Sequence, residues 1–484
     1  MKRRSFIIRS LLLTGGVLLT GYQFVSANVK KAVKKNPKSI LKEKKRVKGK
    51  VVSNGKGISG VVVSDGFSVL KTDKNGAFDF TMHTDARFVF ISTPSGHAFL
   101  QEKGITKHYV PVGEITDQEV VFSLEKLPVS DEKHSFLIWA DPQTKTKADV
   151  KKMMTQTVPD VVKLKNEMPE GTLLHGITVG DIVWDTLDMF PDYAGAVAEM
   201  GVPFFQCMGN HDMDLEKGGD ETSDVTFNQH FGPSHYSFNR GKVHYVVLDN
   251  VRYLGKAREY DGHISNQQLA WLKKDLSFVP KDHLLVLCAH IPILKATKNK
   301  EVLLNITKGY KMHLMTGHTH INRNSIERGV FEHNHGTVCG PWWVGRICGD
   351  GTPGGYGVYE VDGTELKWYY KSTGMPADHQ LELKTQQSQS GEKELLVNVW
   401  NHDPAWKVEY WLDNSYKGTL RQQEGMDPET VMLYLGKELP KTRGFVEPNK
   451  TEHLFTAALP QKAVSVKVVA TDRFGKKYSV EKTV

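Results

Sequence analysis

Seven side chains able to bind a divalent cation stand at the ends of five apolar runs in the middle of this 484-residue chain. "SFLIWA" leads into Asp141 and Gln143, and "HGITVG" into Asp181. "PFFQCMG" leads into Asn210, with His211 and Asp212 directly after it, "LLVLCA" into His290, and "HLMTG" into His318 and His320. Oxygen and imidazole nitrogen without thiolate is a donor set suited to divalent metals bound through nitrogen and oxygen. In α/β folds, ligands bind outside the carboxyl ends of strands, which is where these residues fall. Singly, a Gly-Asp is an ordinary turn and a strand-end histidine an ordinary hydrogen-bonder. Five such ends in one region point instead to a pair of metal ions.

The motifs "GD", "GNHD", "AH" and "GHTH", in this order, resemble the calcineurin-like metallophosphoesterases over residues 133–345. The resemblance implies a dinuclear centre. One metal would be held by Asp141, Gln143, Asp181 and His320, and the other by Asp181, Asn210, His290 and His318, with Asp181 bridging. It implies His211 as the general acid beside the substrate and Asp212 as the residue that orients it. Two metals about 3.5–4 Å apart ionise a water, neutralise phosphoryl oxygens and direct in-line attack on phosphorus. A histidine over the leaving oxygen then supplies its proton.

One position departs from the pattern. The family's first motif is usually Asp-x-His, and here it is Asp-Pro-Gln (Asp141–Gln143). A neutral amide oxygen in place of imidazole favours harder ions, Mn²⁺ or Fe over Zn²⁺. A crippled site that only binds is the alternative, but every other ligand is present, so an active centre is expected. "ADPQ" also resembles a branch that includes the calcineurin-like phosphoesterase domain containing phosphatases.

The loop "CGPWWVGRICGDGTPGGYG" (339–357) lacks the Lys-Ser/Thr of a phosphate-binding P-loop. Trp342 and Trp343 on it could line a substrate pocket, with Arg346 on phosphate; the alternative is that a tryptophan is core. His333 and His335 share strand spacing but have no convergent partners, so no third metal is expected. Trp184, Asp185 and Asn322 sit beside ligand motifs as candidates to support them. "GKGISG" (55–60) precedes a β-branched run rather than a helix, so it reads as a turn and not as a dinucleotide loop.

The elements that must position these residues follow from periodicity. Residues 133–320 alternate strands and helices and further β segments follow to about 372, which gives a core over 133–374; "SNQQLAWLKKDL" (265–276) is a capped amphipathic helix with Leu269, Leu272 and Leu276 on one side. With the resemblance, the expectation is an α/β (α+β) four-layer metallophosphoesterase core with two flanking all-β sandwich domains. The first spans 47–127, where short alternating strands are separated by Asn-Gly and Asp-Gly turns. It resembles carboxypeptidase-regulatory-like (transthyretin-like) sandwiches. The polar stretch 375–393 reads as a linker, and 394–484 as a second sandwich.

The formal net charge of +8 misleads, because residues 1–27 carry +4 and residues 30–50 carry +10. The remaining body is mildly acidic, which argues against a long nucleic acid as partner. Residues 1–27, basic then apolar and ending Val-Ser-Ala, read as a signal peptide; "RRSFI" resembles the twin-arginine pattern, the alternative being an ordinary secretory signal. The expectation is an exported protein, periplasmic or secreted. Residues 28–46 read as a basic linker, or as a contact with an anionic membrane surface. The four cysteines are far apart, without a CxxC pair, which excludes a zinc finger or disulfide scaffold. They read as free or buried thiols, with a Cys339–Cys348 bridge as the alternative.

The resulting expectation is a metal-dependent phosphomonoesterase acting on a phosphorylated small molecule, lipid or sugar. A phosphodiesterase or nucleotide hydrolase, and a surface-binding protein that has lost catalysis, are the alternatives.

Overall fold

The computed structural model describes residues 44–484 except 117–118, 388–390, 438 and 440–441. The signal-like residues 1–27, and the basic linker as far as residue 43, lie outside the described residues.

Two mixed sheets form the centre. A seven-stranded sheet runs, edge to edge, through Glu365–Ser372, Gly355–Asp362, Lys133–Trp139, Leu174–Val179, Phe204–Cys207, Ile105–Thr106 and Gln101–Glu102. A six-stranded sheet runs through Tyr236–Arg240, Val243–Val247, Leu284–Cys288, Lys311–Thr316, Val330–Asn334 and Arg323–Glu327. The strands that carry the ligand motifs pair in parallel, Lys133–Trp139 with Leu174–Val179 and on to Phe204–Cys207, and Leu284–Cys288 with Lys311–Thr316. Parallel strands covered on both faces must be apolar throughout, and Leu284–Cys288 is buried at every residue.

The inner faces meet in one core. Phe136, Ile138, Ile177, Val179, Phe205 and Cys207 of the first sheet pack with Tyr245, Val247, Leu285, Leu287 and Leu314 of the second. On the outer face of the first sheet, Leu137, Trp139 and Phe204 meet the helices Lys147–Thr155, Thr157–Glu167 and Phe190–Glu199. Against the second sheet lies Asn266–Leu276, capped by the Ser265 hydroxyl and burying Leu269, Leu272 and Leu276. Helix, sheet, sheet and helix give the four layers.

Sandwiches flank this core. In the first, Arg46–Ser53 pairs with Val120–Ser123, Lys56–Gly57 and Ala77–Thr81, facing a sheet of Val69–Lys71, Val62–Ser64, Phe88–Ser92 and Tyr109–Pro111. Its core includes Val47, Val51, Val63, Phe78, Ile91 and Phe122. In the last, two four-stranded sheets enclose Leu395, Val397, Phe455, Val466, Val468 and Tyr478.

Three local features differ from the sequence reading. The hairpin Gln101–Thr106 leaves the first sandwich and extends the central sheet, because Ile105 is apolar enough to enter the helix-side core beside Phe204. Within the stretch read as a linker, Glu382–Gln387 is a strand paired with Lys393–Asn398. Leu383 alone is buried, and the exposed Thr385 and Gln387 share its face, so no period-two signal marks the strand; its pairing and the reach of Lys384 to Asp427 and Glu429 place it. A helix, Pro428–Leu435, interrupts the last β region, with Asp427 accepting from Glu429 N and proline in the first turn. The four cysteines are buried and free, so no Cys339–Cys348 bridge exists.

A buried polar network ties the last sandwich to the 339–357 loop. Asp350 accepts from Asn322 N at 2.8 Å and lies 3.2 Å from His453 Nε2, while Asn398 donates to the Asp350 carbonyl and to Asp427. Lys384 closes it onto Asp427 and Glu429.

Candidate metal centre

Three of the five ligand motifs leave their strands through left-handed backbone. Asp141, Gln143, Asp181, His318 and His320 all adopt left-handed conformations, with φ between 42° and 70°. Such backbone costs about 1–3 kcal/mol at each non-glycine residue, and concentrated strain of this kind marks functional sites. The preceding glycines are needed for close approach. A Cβ at Gly209 would collide with Asp181, and one at Gly317 would come within 2.5 Å of Asp141 Oδ2. The Gly-Asn and Gly-His pairs are therefore a packing requirement of the neighbouring ligand.

The strand ends converge on two overlapping clusters. Ligand atoms of Asp181, His290 and His318 lie within 4.8 Å of one another, and so do those of Asp141, Asp181 and His320. Asp181 belongs to both. Asn210 Oδ1 joins the first at 3.0 Å from His290 Nε2, and Gln143 joins the second through its amide nitrogen, which donates to Asp181 Oδ2 at 2.9 Å and lies 3.1 Å from His320 Nε2, so that a half-turn of the amide brings Oε1 to the same place. His290 Nδ1 is 2.9 Å from the Val179 carbonyl, so Nδ1–H donates there and Nε2 is turned to the cluster.

The residues fit a cation on their own chemistry. Gln143 Oε1 is buried without a hydrogen bond and Asp141 Oδ1 has only His320 Nε2 against it, at 3.2 Å; a buried oxygen left unpaired costs about 1–3 kcal/mol unless something positive lies against it. Burial raises the carboxyl of Asp181, but His290, His211 and His318 around it outweigh burial and hold it well below the usual range. Burial lowers His290, yet Asp181 and Asp141 carry it up to about 9. His318 is pushed down to about 3 by burial and by His290.

His211 stands at the rim, its Nε2 3.9 Å from Asp181 Oδ2 and its Nδ1 2.8 Å from Asp185 Oδ1. Arg258 holds the other Asp185 oxygen at 2.7 Å. Burial lowers His211, but Asp181 and Asp185 more than offset it and leave the imidazole above its ordinary value. Asp212 does not orient His211, contrary to the sequence reading. Its carboxylate faces inward, fully buried, and accepts from the backbone N–H groups of Gly209, Ile182 and Val183 at 2.8–3.2 Å. It staples the Gly-Asp loop to the Gly-Asn loop. Asp185 is the orienting group, and its position four residues past Asp181 was the signal available in the sequence.

The three residues read as substrate contacts separate. Trp342 lies against the site, its ring 4.5 Å from that of His320. Trp343 does not: it is buried, and its indole donates to the Pro142 carbonyl at 2.8 Å, supporting the first motif from beneath. Arg346 points away, pairing with Glu429 of the last sandwich. His333 and His335 are buried elsewhere, on His313 and on Tyr359. Sequence reasoning also missed Tyr260, whose ring is 5.8 Å from His318, and Arg443 and Phe445, which reach the site from the last domain.

Three family models match the chain: "N terminal of Calcineurin-like phosphoesterase" over 45–127, "Calcineurin-like phosphoesterase" over 160–322, and "C terminal of Calcineurin-like phosphoesterase" over 332–478. No curated protein matches the chain. Among solved structures, a dimetal phosphatase from Danio rerio is 14% identical, covering 50% of this chain and 96% of its own at a TM-score of 0.36. The purple acid phosphatase PPD1 from yellow lupin (Lupinus luteus) is 12% identical, covering 63% of this chain and 56% of its own at a TM-score of 0.38. At such scores the family models, and not these structures, carry the assignment. The chain belongs to the calcineurin-like phosphoesterases, phosphoester-hydrolysing enzymes, and carries both the N-terminal and the C-terminal domain of that family.

Proposed function

We propose that the chain is a dinuclear metal-dependent phosphomonoesterase. The observation that carries this reading is the pair of ligand clusters sharing Asp181, with His211 and its orienting Asp185 at their rim. Asp141, Gln143, Asp181 and His320 would hold one ion, and Asp181, Asn210, His290 and His318 the other. Ions bound there supply Lewis acidity toward phosphoryl oxygens and an ionised water as nucleophile.

The chain's own residues do the rest. Asp181 sets the spacing of the two clusters. His211, protonated and held by Asp185 and Arg258, presents Nε2 toward the leaving oxygen and gives it a proton, a step worth roughly 10²–10⁴ in rate. The Gln143 amide, in place of imidazole, biases its cluster toward Mn²⁺ or Fe over Zn²⁺. Residues 1–27 support export, and the acidic body supports small phosphorylated substrates over long polyanions.

The test couples bound-metal analysis to a panel of phosphomonoesters and phosphodiesters. Two ions per chain and monoester turnover that is lost in Asp181→Ala are expected. Turnover of diesters alone would replace the monoesterase reading with a phosphodiesterase, and absence of both ions and turnover would leave a binding protein.

A further inference from the structure

We propose that the C-terminal domain completes the substrate pocket: Phe445, with Trp184 and Trp342 of the core, forms an aromatic wall beside the metal centre that selects phosphomonoesters whose alcohol carries a planar aromatic ring. This deepens the phosphomonoesterase reading and rests on it for the reaction.

Three rings meet at the rim. Trp342 abuts His320 at 4.5 Å between centroids, and Trp184 abuts His211 edge-on at 6.3 Å. The two tryptophans lie 6.2 Å apart, and Phe445 stands nearly perpendicular to both, 5.2 Å from Trp184 and 5.0 Å from Trp342. The wall therefore spans from a metal ligand to the proposed acid, which is where the leaving alcohol must sit. Phe445 is 44% exposed, so it is not held there as part of the C-terminal core.

The placement is nonetheless fixed. Two residues earlier, Arg443 donates to the Trp342 carbonyl and pairs with Asp149 at 2.7 Å. One residue later, Val446 is buried against Ile347 and Tyr434. Trp342 itself is held in left-handed backbone at φ 51°. A flexible lip would need none of these anchors.

Charge narrows the ligand class. Lys145 Nζ sits 4.1 Å over the Trp184 ring and the Arg443 guanidinium 5.2 Å from it. Both cations lie on Trp184, which draws the phosphate to that side and leaves the Trp342 and Phe445 rings to meet a planar ring of the alcohol by face or edge. Edge-to-face or offset contact with such a wall is worth roughly tenfold in affinity.

The experiment uses the metal-loaded full chain and Phe445→Ala and Phe445→Leu, with 2-phenylethyl, 2-cyclohexylethyl and ethyl phosphate, whose leaving groups are all simple alkoxides. The matching phosphonates, titrated by tryptophan fluorescence, read binding without turnover. The wild type is expected to prefer the phenyl compound over both others. That preference, as a ratio of kcat/KM values and as a ratio of phosphonate Kd values, should fall about tenfold in Phe445→Ala and by most of that in Phe445→Leu. Equal use of phenyl and cyclohexyl compounds, or ratios that neither variant changes, would overturn the wall while leaving the phosphomonoesterase reading intact. Phenyl-selective phosphonate binding that depends on Phe445, without hydrolysis of any ester, would uphold the wall and sink the hydrolase reading.

Discussion

Asp185 Oδ1 lies 2.8 Å from His211 Nδ1, and the opposite oxygen of the same carboxylate lies 2.7 Å from Arg258. The imidazole is thereby fixed in orientation with Nε2 turned toward the clusters, and its protonated form is favoured. Asp185→Ala should therefore keep both metals and lose turnover by roughly 10- to 100-fold, the usual scale for a supporting hydrogen bond. His211→Ala should lose more, and most on esters with poor leaving groups. Asp212→Ala should behave differently. Three backbone N–H groups lose their acceptor, so metal content should fall together with activity. Metal analysis beside kinetics separates the two carboxylates, and full activity in Asp185→Ala would remove it from the mechanism.

Gln143 offers a second test. Its amide stands between Asp181 and His320, where the family pattern has a histidine. Gln143→His should raise the ratio of Zn²⁺-supported to Mn²⁺-supported activity, since imidazole is the better donor to zinc. The measurement is activity and metal affinity after reconstitution of the apoprotein with each ion. An unchanged ratio would mean that residue 143 does not bind metal.

Lys371 and Asp160 form a buried pair at 2.7 Å, with side chains only 7% and 6% exposed. Tyr356 and Gly374 N also donate to Asp160. Lys371→Met leaves the carboxylate buried with its cation gone and should destabilise the protein by about 3–5 kcal/mol. The double variant Lys371→Met, Asp160→Asn should recover part of that loss. Denaturant unfolding of the three proteins reads both effects, and an additive double variant would show that the pair is not coupled.

The sequence made the metal cluster legible because its chemistry is local. Each ligand motif follows an apolar run, and the glycine before Asn210 or His318 is demanded by a neighbour that an added Cβ would meet at 2.1 or 2.5 Å. What it concealed depends on distance. Asp212 stands next to His211 in the chain, yet successive side chains on a tight turn diverge, and the nearer partner in space comes from the Asp181 loop. Trp342 and Trp343 are adjacent too, but one faces the site and the other donates inward to Pro142. Arg443 and Phe445 lie more than a hundred residues beyond the ligand motifs, in a segment with no motif of its own. The edge strand Glu382–Gln387 was lost to composition, since Leu383 is its one buried residue and the rest of the strand is polar.

Glu332 yields a prediction in pH. Its carboxylate accepts from the backbone N–H groups of Ile293 and Leu294, at the start of the short helix that follows His290. Burial raises it from the ordinary 4.5 to about 7, and these two donors only partly oppose the rise. A raised folded-state value means that the folded protein holds this proton where the unfolded chain has lost it. Its contribution is therefore full below about pH 4.5, and is lost as pH climbs to about 7. The slope is at most about 1.4 kcal/mol per pH unit. Glu332→Gln keeps an oxygen for the two N–H groups and cannot ionise, so its stability relative to wild type should improve steadily across that window and then level off. Denaturation midpoints of both proteins at half-unit steps of pH check this, and parallel curves would show that Glu332 is already charged below pH 5.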